Sequence, residues 1–228
     1  MKLAKFKEFE RRAYQTVYAE PAEGFHNKLI PELIARYFPE FDLQPNSRIL
    51  DIGSGPGIFL QEAKKLGHDA VGVTLSDDDF QLCKQLGFEM YHASMTDLPI
   101  EDNSIDFIWC RHALEHSPYP LFTLYEFHRV LKPTGRAYIE VPAPDNERIF
   151  IHEFNPNHYS ILGTAMWQGL FNKSSFIPFF FNISDTPLQW DTATESKVII
   201  EKSFHYGMKK STESYVEQVR REYKLDML

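Results

Sequence analysis

The stretch Ile49-Leu50-Asp51-Ile52-Gly53-Ser54-Gly55-Pro56-Gly57-Ile58-Phe59-Leu60 decides the fold. An apolar run meets an acidic residue, passes through glycines at every second position and re-emerges with apolar periodicity. That pattern reads as a buried strand, a tight turn and a helix start. Without a Cβ at 53, 55 and 57, the turn can take positive φ and a ligand can approach the backbone closely. A helix beginning at Ile58 aims N–H groups and a partial positive charge back at the turn. The stretch therefore predicts a site for something small.

Working outward, strands are expected over 47–52, 69–75, 88–93, 104–110 and 137–141, with helices between them. One helix carries Ile58, Phe59, Ala63 and Leu66 and stops at Gly67. The next is N-capped by Ser76, with Asp77, Asp78 and Asp79 in its first turn, and is closed by Gly87. Three adjacent helical carboxylates point in different directions, so they read as helix-start acids and not as metal ligands. Ser117-Pro118 is expected to open a third helix with proline at the tolerated first position, and Lys132-Pro133-Thr134-Gly135 to end it. Alternation of this kind implies a parallel sheet covered on both faces, with ligands outside the carboxyl ends of its strands. Residues 53–57, 74–76, 94–95 and 110–112 then face one crevice.

The flanks are less regular. Helices are expected over 2–18 and 25–38, read as a pair covering one edge of the sheet; the alternative is a lid with Tyr14 or Tyr18 facing the ligand. A long connection over 144–159 leaves a strand's carboxyl end and lands over the crevice, where such loops are often functional. A helix over 161–171, strands over 176–183 and 197–202, and an amphipathic tail helix over 211–223 complete the expectation. The division is 1–45 as a helical cap or lid, 46–205 as the ligand-binding domain and 206–228 as a helical tail.

Composition narrows the function. With 228 residues the chain can bury a full core, and 19 Phe, 11 Tyr and 3 Trp supply it. The net charge is −8, and residues 40–110 hold 13 Asp and Glu against 4 Lys and Arg. A phosphate-tracking surface needs a basic stripe, so nucleic acid is not an expected partner. Cys83 and Cys110 form neither a disulfide framework nor a metal-spacing pattern, and no metal is expected. The start has no apolar targeting region and no run approaches membrane-spanning length, which predicts a soluble cytoplasmic protein.

A dinucleotide site wants Gly-x-Gly-x-x-Gly, with free N–H groups for a pyrophosphate. Here the spacing is Gly-x-Gly-x-Gly, Pro56 lacks a donor, and Asp51 would repel phosphate but hold an ammonium. A ligand with an amino-acid end and a nucleoside end fits better. At this point the chain resembles the class I S-adenosylmethionine-dependent methyltransferases of the small-molecule type. The resemblance rests on Asp51-Ile52-Gly53-Ser54-Gly55-Pro56-Gly57, on Asp97-Leu98-Pro99-Ile100 with Asn103-Ser104-Ile105-Asp106, and on Leu114-Glu115-His116 followed by Arg129-Val130-Leu131-Lys132-Pro133-Thr134-Gly135. It covers about residues 45–142 and implies a three-layer α-β-α Rossmann-like fold, mostly parallel and seven-stranded with an antiparallel last strand.

The same resemblance implies S-adenosyl-L-methionine as cofactor and assigns site residues. Gly53, Ser54, Gly55 and Gly57 would surround the methionine part, with Asp51 fixing its amine. Cys110 or Arg111 would offer a backbone acceptor. Thr74 and Leu75 would meet the ribose and adenine, with Ser94 and Met95 at the adenine. Thr74 stands where many relatives carry an acid, and Ser94 where an Asp is common. Methyl transfer depends mainly on alignment, with a base needed only if the acceptor must lose a proton. The candidates are His112 and His152, then His116 and His158; helix capping is the expected job of His116. The expected acceptor is a small or medium-sized metabolite, recognised by the loop of His152, Glu153, Asn155, His158 and Tyr159. The alternative is a cofactor-binding module or subunit without transferase activity.

Overall fold

The computed structural model describes residues 2–14, 25–144, 157–191, 196–214 and 217. Inside its sheet lies strand β1 (Arg48–Ile52), in which Ile49 and Leu50 are fully buried. Strand β1 pairs in parallel with β2 (Asp69–Thr74) on one side and β4 (Ile105–Arg111) on the other. Outward lie β3 (Glu89–His92), β5 (Leu131–Pro142), β7 (Ser196–Lys210) and β6 (Phe176–Asp191), in the order β3-β2-β1-β4-β5-β7-β6. Strand β7 runs antiparallel to both its neighbours, as the resemblance implies.

Side chains alternate between two cores, as the two-residue period of a strand requires. Ile49, Phe107, Trp109 and Tyr138 face one side with helix α2 (Phe25–Tyr37) and helix α3 (Ile58–Lys65), and Trp109 stacks between Phe59 and Tyr138 at 4.5 and 4.2 Å. Leu50, Ile52, Ile108, Cys110 and Ile139 face the other, with helix α5 (Pro120–Val130) and helix α6 (Thr164–Lys173). Helix α4 (Asp77–Gln85) begins as expected: Ser76 Oγ accepts from the Asp79 N–H at 3.2 Å. No helix among the described residues is long and apolar enough to cross a membrane.

Several boundaries move. The helix after β4 opens on Pro120, not Pro118, because a 3-10 turn at Leu114–His116 intervenes and Ser117 Oγ takes up the Tyr119 N–H at 3.3 Å. Strand β5 starts directly at Leu131, and its register against β4 jumps from Ile105↔Leu131 to Phe107↔Arg136, so 132–135 form an excursion within the strand. Helix α6 begins at Thr164, where Gly163 O takes the N–H groups of Met166 and Trp167. Strands β6 and β7 far outrun 176–183 and 197–202, pairing from Phe176↔Lys210 to Asp191↔Ser196. Pro178 is tolerated at a register shift and Pro187 on the sheet's outer edge. Strand β7 thus crosses the expected 205/206 boundary; of the tail helix expected over 211–223, residues 211–214 are bend and coil, 217 is helical, and the others lie outside the described residues.

Helix α1 (Lys2–Ala13) departs from the edge-covering reading. Its end brings Ala13 and Tyr14 over the crevice, where the Tyr159 hydroxyl donates to Ala13 O at 2.9 Å. Helix α2 packs on a face of the sheet through Ile30, Leu33 and Ile34. Tyr18 lies outside the described residues.

Candidate active site

The carboxyl ends of β1, β2 and β4 open onto a crevice that the glycine turn divides in two. Gly53, Gly55 and Gly57 take φ of 71°, 47° and 79°, the left-handed values their sequence predicts. Two of them are also required by packing: a Cβ at Gly53 would lie 2.9 Å from Ala113 Cβ, and one at Gly57 2.8 Å from Cys83 Sγ. The turn spends donors on the protein itself, since the N–H groups of Gly53 and Ser54 go to Val73 O and that of Gly57 to Ser54 O. This leaves fewer donors than a pyrophosphate cradle would present.

On one side of the turn, Asp51, Ser54, Pro56, Phe59, Trp109 and Arg111 line a pocket. Asp51 is 3% exposed, its Oδ2 has no hydrogen-bond partner, and burial pushes its carboxyl well above the usual range. A buried acceptor-only oxygen in this position is complementary to an ammonium. On the other side, Ile52, Val73, Thr74, Leu75, Ala93, Met95 and Ala113 form a largely apolar cleft. Thr74 Oγ1 accepts from the Ser76 N–H at 3.1 Å, so its hydroxyl caps the turn after β2. The Ser94 hydroxyl turns to Thr96 Oγ1 at 2.6 Å and to Tyr14 at 3.5 Å, while its neighbours Ala93 and Met95 form the wall. Cys110 is fully buried in β4, and burial raises its thiol well above the usual value.

His112 borders both pockets. Its φ is +46°, uncommon for a residue with a Cβ, and its N–H is bound to Glu140 O at 2.9 Å. Its ring is held from both ends: Nε2 lies 3.1 Å from Glu140 Oε1 and 3.2 Å from Ser203 Oγ, and Nδ1 lies 3.4 Å from Glu115 Oε1. Burial opposes its charge, but hydrogen bonds to Glu115 and Glu140 outweigh this and raise its pKa to about 10. An imidazolium held protonated near neutrality is a fixed charge and not a proton acceptor. His152 lies outside the described residues, as do Glu153 and Asn155.

Glu140, absent from the sequence expectations, is the hub of this region. Arg111 Nε lies 3.1 Å from its Oε2, Tyr138 donates to it at 3.0 Å, and His205 Nδ1 sits 3.8 Å away. Burial alone would raise its carboxyl, but the Arg111 charge and the His112 contact hold it below the usual range. The signal was present as a carboxylate inside an apolar strand, Tyr138-Ile139-Glu140-Val141. His205 needs the sheet to be found, because its partners come from β5 and β6: Tyr138 OH at 2.7 Å and Ser184 Oγ at 2.6 Å. Asn157, Tyr159 and His116 close the cleft from the segment after β5 and the turn after β4.

Sheet order, glycine turn and buried acid define the Rossmann-like class of methyltransferase folds. Residues 50–139, about two fifths of the chain, match the family described as a methyltransferase domain, and this match together with the solved structures of the same fold supports S-adenosylmethionine as the cofactor. Among curated relatives, the chain is 31% identical over 108 residues to the demethylmenaquinone methyltransferase of Staphylococcus saprophyticus, covering 44% of this chain and 46% of that protein. It is 24% identical over 195 residues to the uncharacterized methyltransferase YcgJ of Bacillus subtilis, covering 78% and 77%. The chain thus spans about half the length of the first of these relatives and three quarters of the second. A crystal structure of a SAM-dependent methyltransferase from Archaeoglobus fulgidus superposes with a TM-score of 0.64 at 18% identity, over 90% of this chain and 99% of that one.

Proposed function

We propose that the protein is an S-adenosylmethionine-dependent methyltransferase acting on a small or medium-sized metabolite in the cytoplasm. The observation that carries this reading is the partnerless Asp51 oxygen, buried beside the glycine turn of a methyltransferase domain. Asp51 would hold the cofactor's ammonium, with Arg111 in the same pocket able to face its carboxylate. Thr74, Leu75, Ala93 and Met95 would enclose the adenosine. When bound, the cofactor supplies a sulfonium methyl group for in-line displacement. The chain's own task is alignment and exclusion of water, to which Ala13, Tyr14 and Tyr159 over the cleft are suited. The acidic body supports a small acceptor in preference to nucleic acid.

A ligand-induced rise in thermal midpoint with S-adenosylhomocysteine tests the cofactor assignment, and Gly55→Val is expected to abolish it while the fold persists. Turnover over an acceptor panel then separates an enzyme from a cofactor-binding module. The engaged hydroxyls of Thr74 and Ser94 favour the module reading to the extent that they weaken the adenosine end. No thermal shift at saturating cofactor would sink both readings.

A further inference from the structure

The turn after β4 and the segment after β5 together hold a group of side chains that neither cofactor binding nor methyl transfer uses. One carboxylate oxygen of Glu115 and one ring nitrogen each of His116 and His158 all lie within 4.8 Å of one another. Glu115 is 1% exposed; its Oε1 faces His112 Nδ1 at 3.4 Å, and its Oε2 has no hydrogen-bond partner. A buried carboxylate oxygen without a donor is costly unless something cationic completes it.

The two imidazoles are arranged accordingly. His116 Nδ1 lies 3.0 Å from Asn157 O. A carbonyl can only accept, so Nδ1 carries the proton and Nε2 keeps its lone pair. A backbone carbonyl fixing the tautomer of a histidine is the usual support of a metal ligand. The His158 ring meets that of His116 edge-on, with centroids 4.7 Å apart. The frame around the group is tied down by backbone: the N–H groups of Tyr159 and Ser160 both donate to Glu115 O, at 2.9 and 3.0 Å, and Ser160 Oγ donates to Ser117 O at 3.1 Å. Two segments more than 40 residues apart in sequence are thereby held in register at the three side chains.

We propose that Glu115, His116 and His158 bind a divalent transition-metal ion of the zinc type. Two imidazole nitrogens and one carboxylate oxygen suit such an ion and not magnesium or calcium, which prefer all-oxygen sets. Metal bonds of about 2.1 Å place paired donors roughly 3–4 Å apart, so the three side chains close by about 1 Å onto the ion. Three protein ligands leave a fourth position open. Because His116, Asn157 and Tyr159 border the cleft, that position lies on the cleft side, where a hydroxyl, carboxylate or water oxygen can complete the shell. The helix capping expected of His116 is not made: α5 starts without a side-chain cap, and His116 Nδ1 meets Asn157 O instead.

The test is metal binding by the full chain and needs no activity. After chelator treatment and dialysis, Zn2+ is titrated by calorimetry and Co2+ by its visible absorption. The expected result is one ion per chain, four-coordinate cobalt bands, a raised thermal midpoint with Zn2+ and none with Mg2+. His158→Ala should lower Zn2+ affinity at least about tenfold and abolish the cobalt bands, whereas His92→Ala, at an exposed site remote from the cluster, should change neither. Glu115 is too buried to serve alone, so His158→Ala keeps the test sound if Glu115→Gln fails to fold. Absence of Zn2+ binding overturns the proposal. Binding that survives His158→Ala overturns it equally, as adventitious capture elsewhere.

Discussion

Nε2 of His112 lies 3.1 Å from Oε1 of Glu140, and this part-buried pair joins the glycine crevice to the antiparallel end of the sheet. The same carboxylate faces Arg111 at 3.1 Å. Two cations therefore share one acid that is 3% exposed. Glu140→Gln keeps the shape and part of the hydrogen bonding but removes the buried negative charge that Arg111 and His112 both face, leaving His112 its contact with Glu115. Breaking a buried pair by neutralising one member costs about 3–5 kcal/mol, so a loss of about 3 kcal/mol in urea unfolding is expected. A loss below about 1 kcal/mol would show that solvent screens the cluster.

His205 sets the acid limit of the fold. Burial lowers its pKa to about 4 from 6.5, although Glu140 pulls the other way, and Tyr138 and Ser184 bind its two nitrogens. A depressed folded pKa means that the neutral ring's contribution is complete above 6.5 and is lost as pH falls through 4. Glu140, held below the usual carboxylate range, acts in the same direction at lower pH. Stability should fall by about 3 kcal/mol across that window from His205 alone. His205→Gln should flatten the slope between pH 6.5 and 4; an unchanged slope in urea titrations would remove His205 as its source.

Gly57 and Gly67 have nearly the same backbone, with φ of 79° and 83°, but different surroundings. A Cβ at Gly67 meets nothing within 4 Å, whereas one at Gly57 meets Cys83 Sγ at 2.8 Å. Gly67→Ala should cost about 1 kcal/mol, the left-handed strain alone. Gly57→Ala should cost about 1–3 kcal/mol more through overpacking. Adding Cys83→Ala should recover part of that excess. Equal costs at the two glycines would mean that Cys83 moves aside freely.

What the sequence made legible follows from local physics. Ile49-Leu50 and the glycines at 53, 55 and 57 announce a strand and a left-handed turn without help from distant residues, and Ser76 announces its helix by its own side chain. The strand ends that meet at the crevice followed from the alternation of elements. Strands β6 and β7 are longer than the sequence reading because Ser184, Asp185, Thr186, Ser203 and His205 interrupt the apolar pattern, and the buried Ser203 and His205 find their side-chain partners on other elements. Pro118 and Pro120 both satisfy the rule for a helix start, and the preceding 3-10 turn with the Ser117 hydroxyl decides between them. The position of α1 over the crevice depends on Tyr159 reaching Ala13, a contact that no local pattern encodes.

Asp51 separates stability from binding. Its Oδ2 is unpartnered and its carboxyl sits well above the usual range because it is buried. Asp51→Asn removes a buried charge without changing shape, so the ligand-free protein should be as stable as the parent or slightly more so at neutral pH. The same change removes one charge-assisted hydrogen bond to an ammonium, about 1.5–3 kcal/mol. Affinity for S-adenosylhomocysteine should therefore fall by about ten- to hundredfold. Because the ammonium stabilises the ionised carboxylate, binding by the parent should also release protons wherever the ligand-free carboxyl is still protonated, which calorimetry in buffers of different ionisation enthalpy over a pH series reads directly. Asp51→Asn should bind without that release from this group. Proton release of the same size in both proteins, or an affinity that Asp51→Asn leaves intact, would move the amine to another part of the crevice.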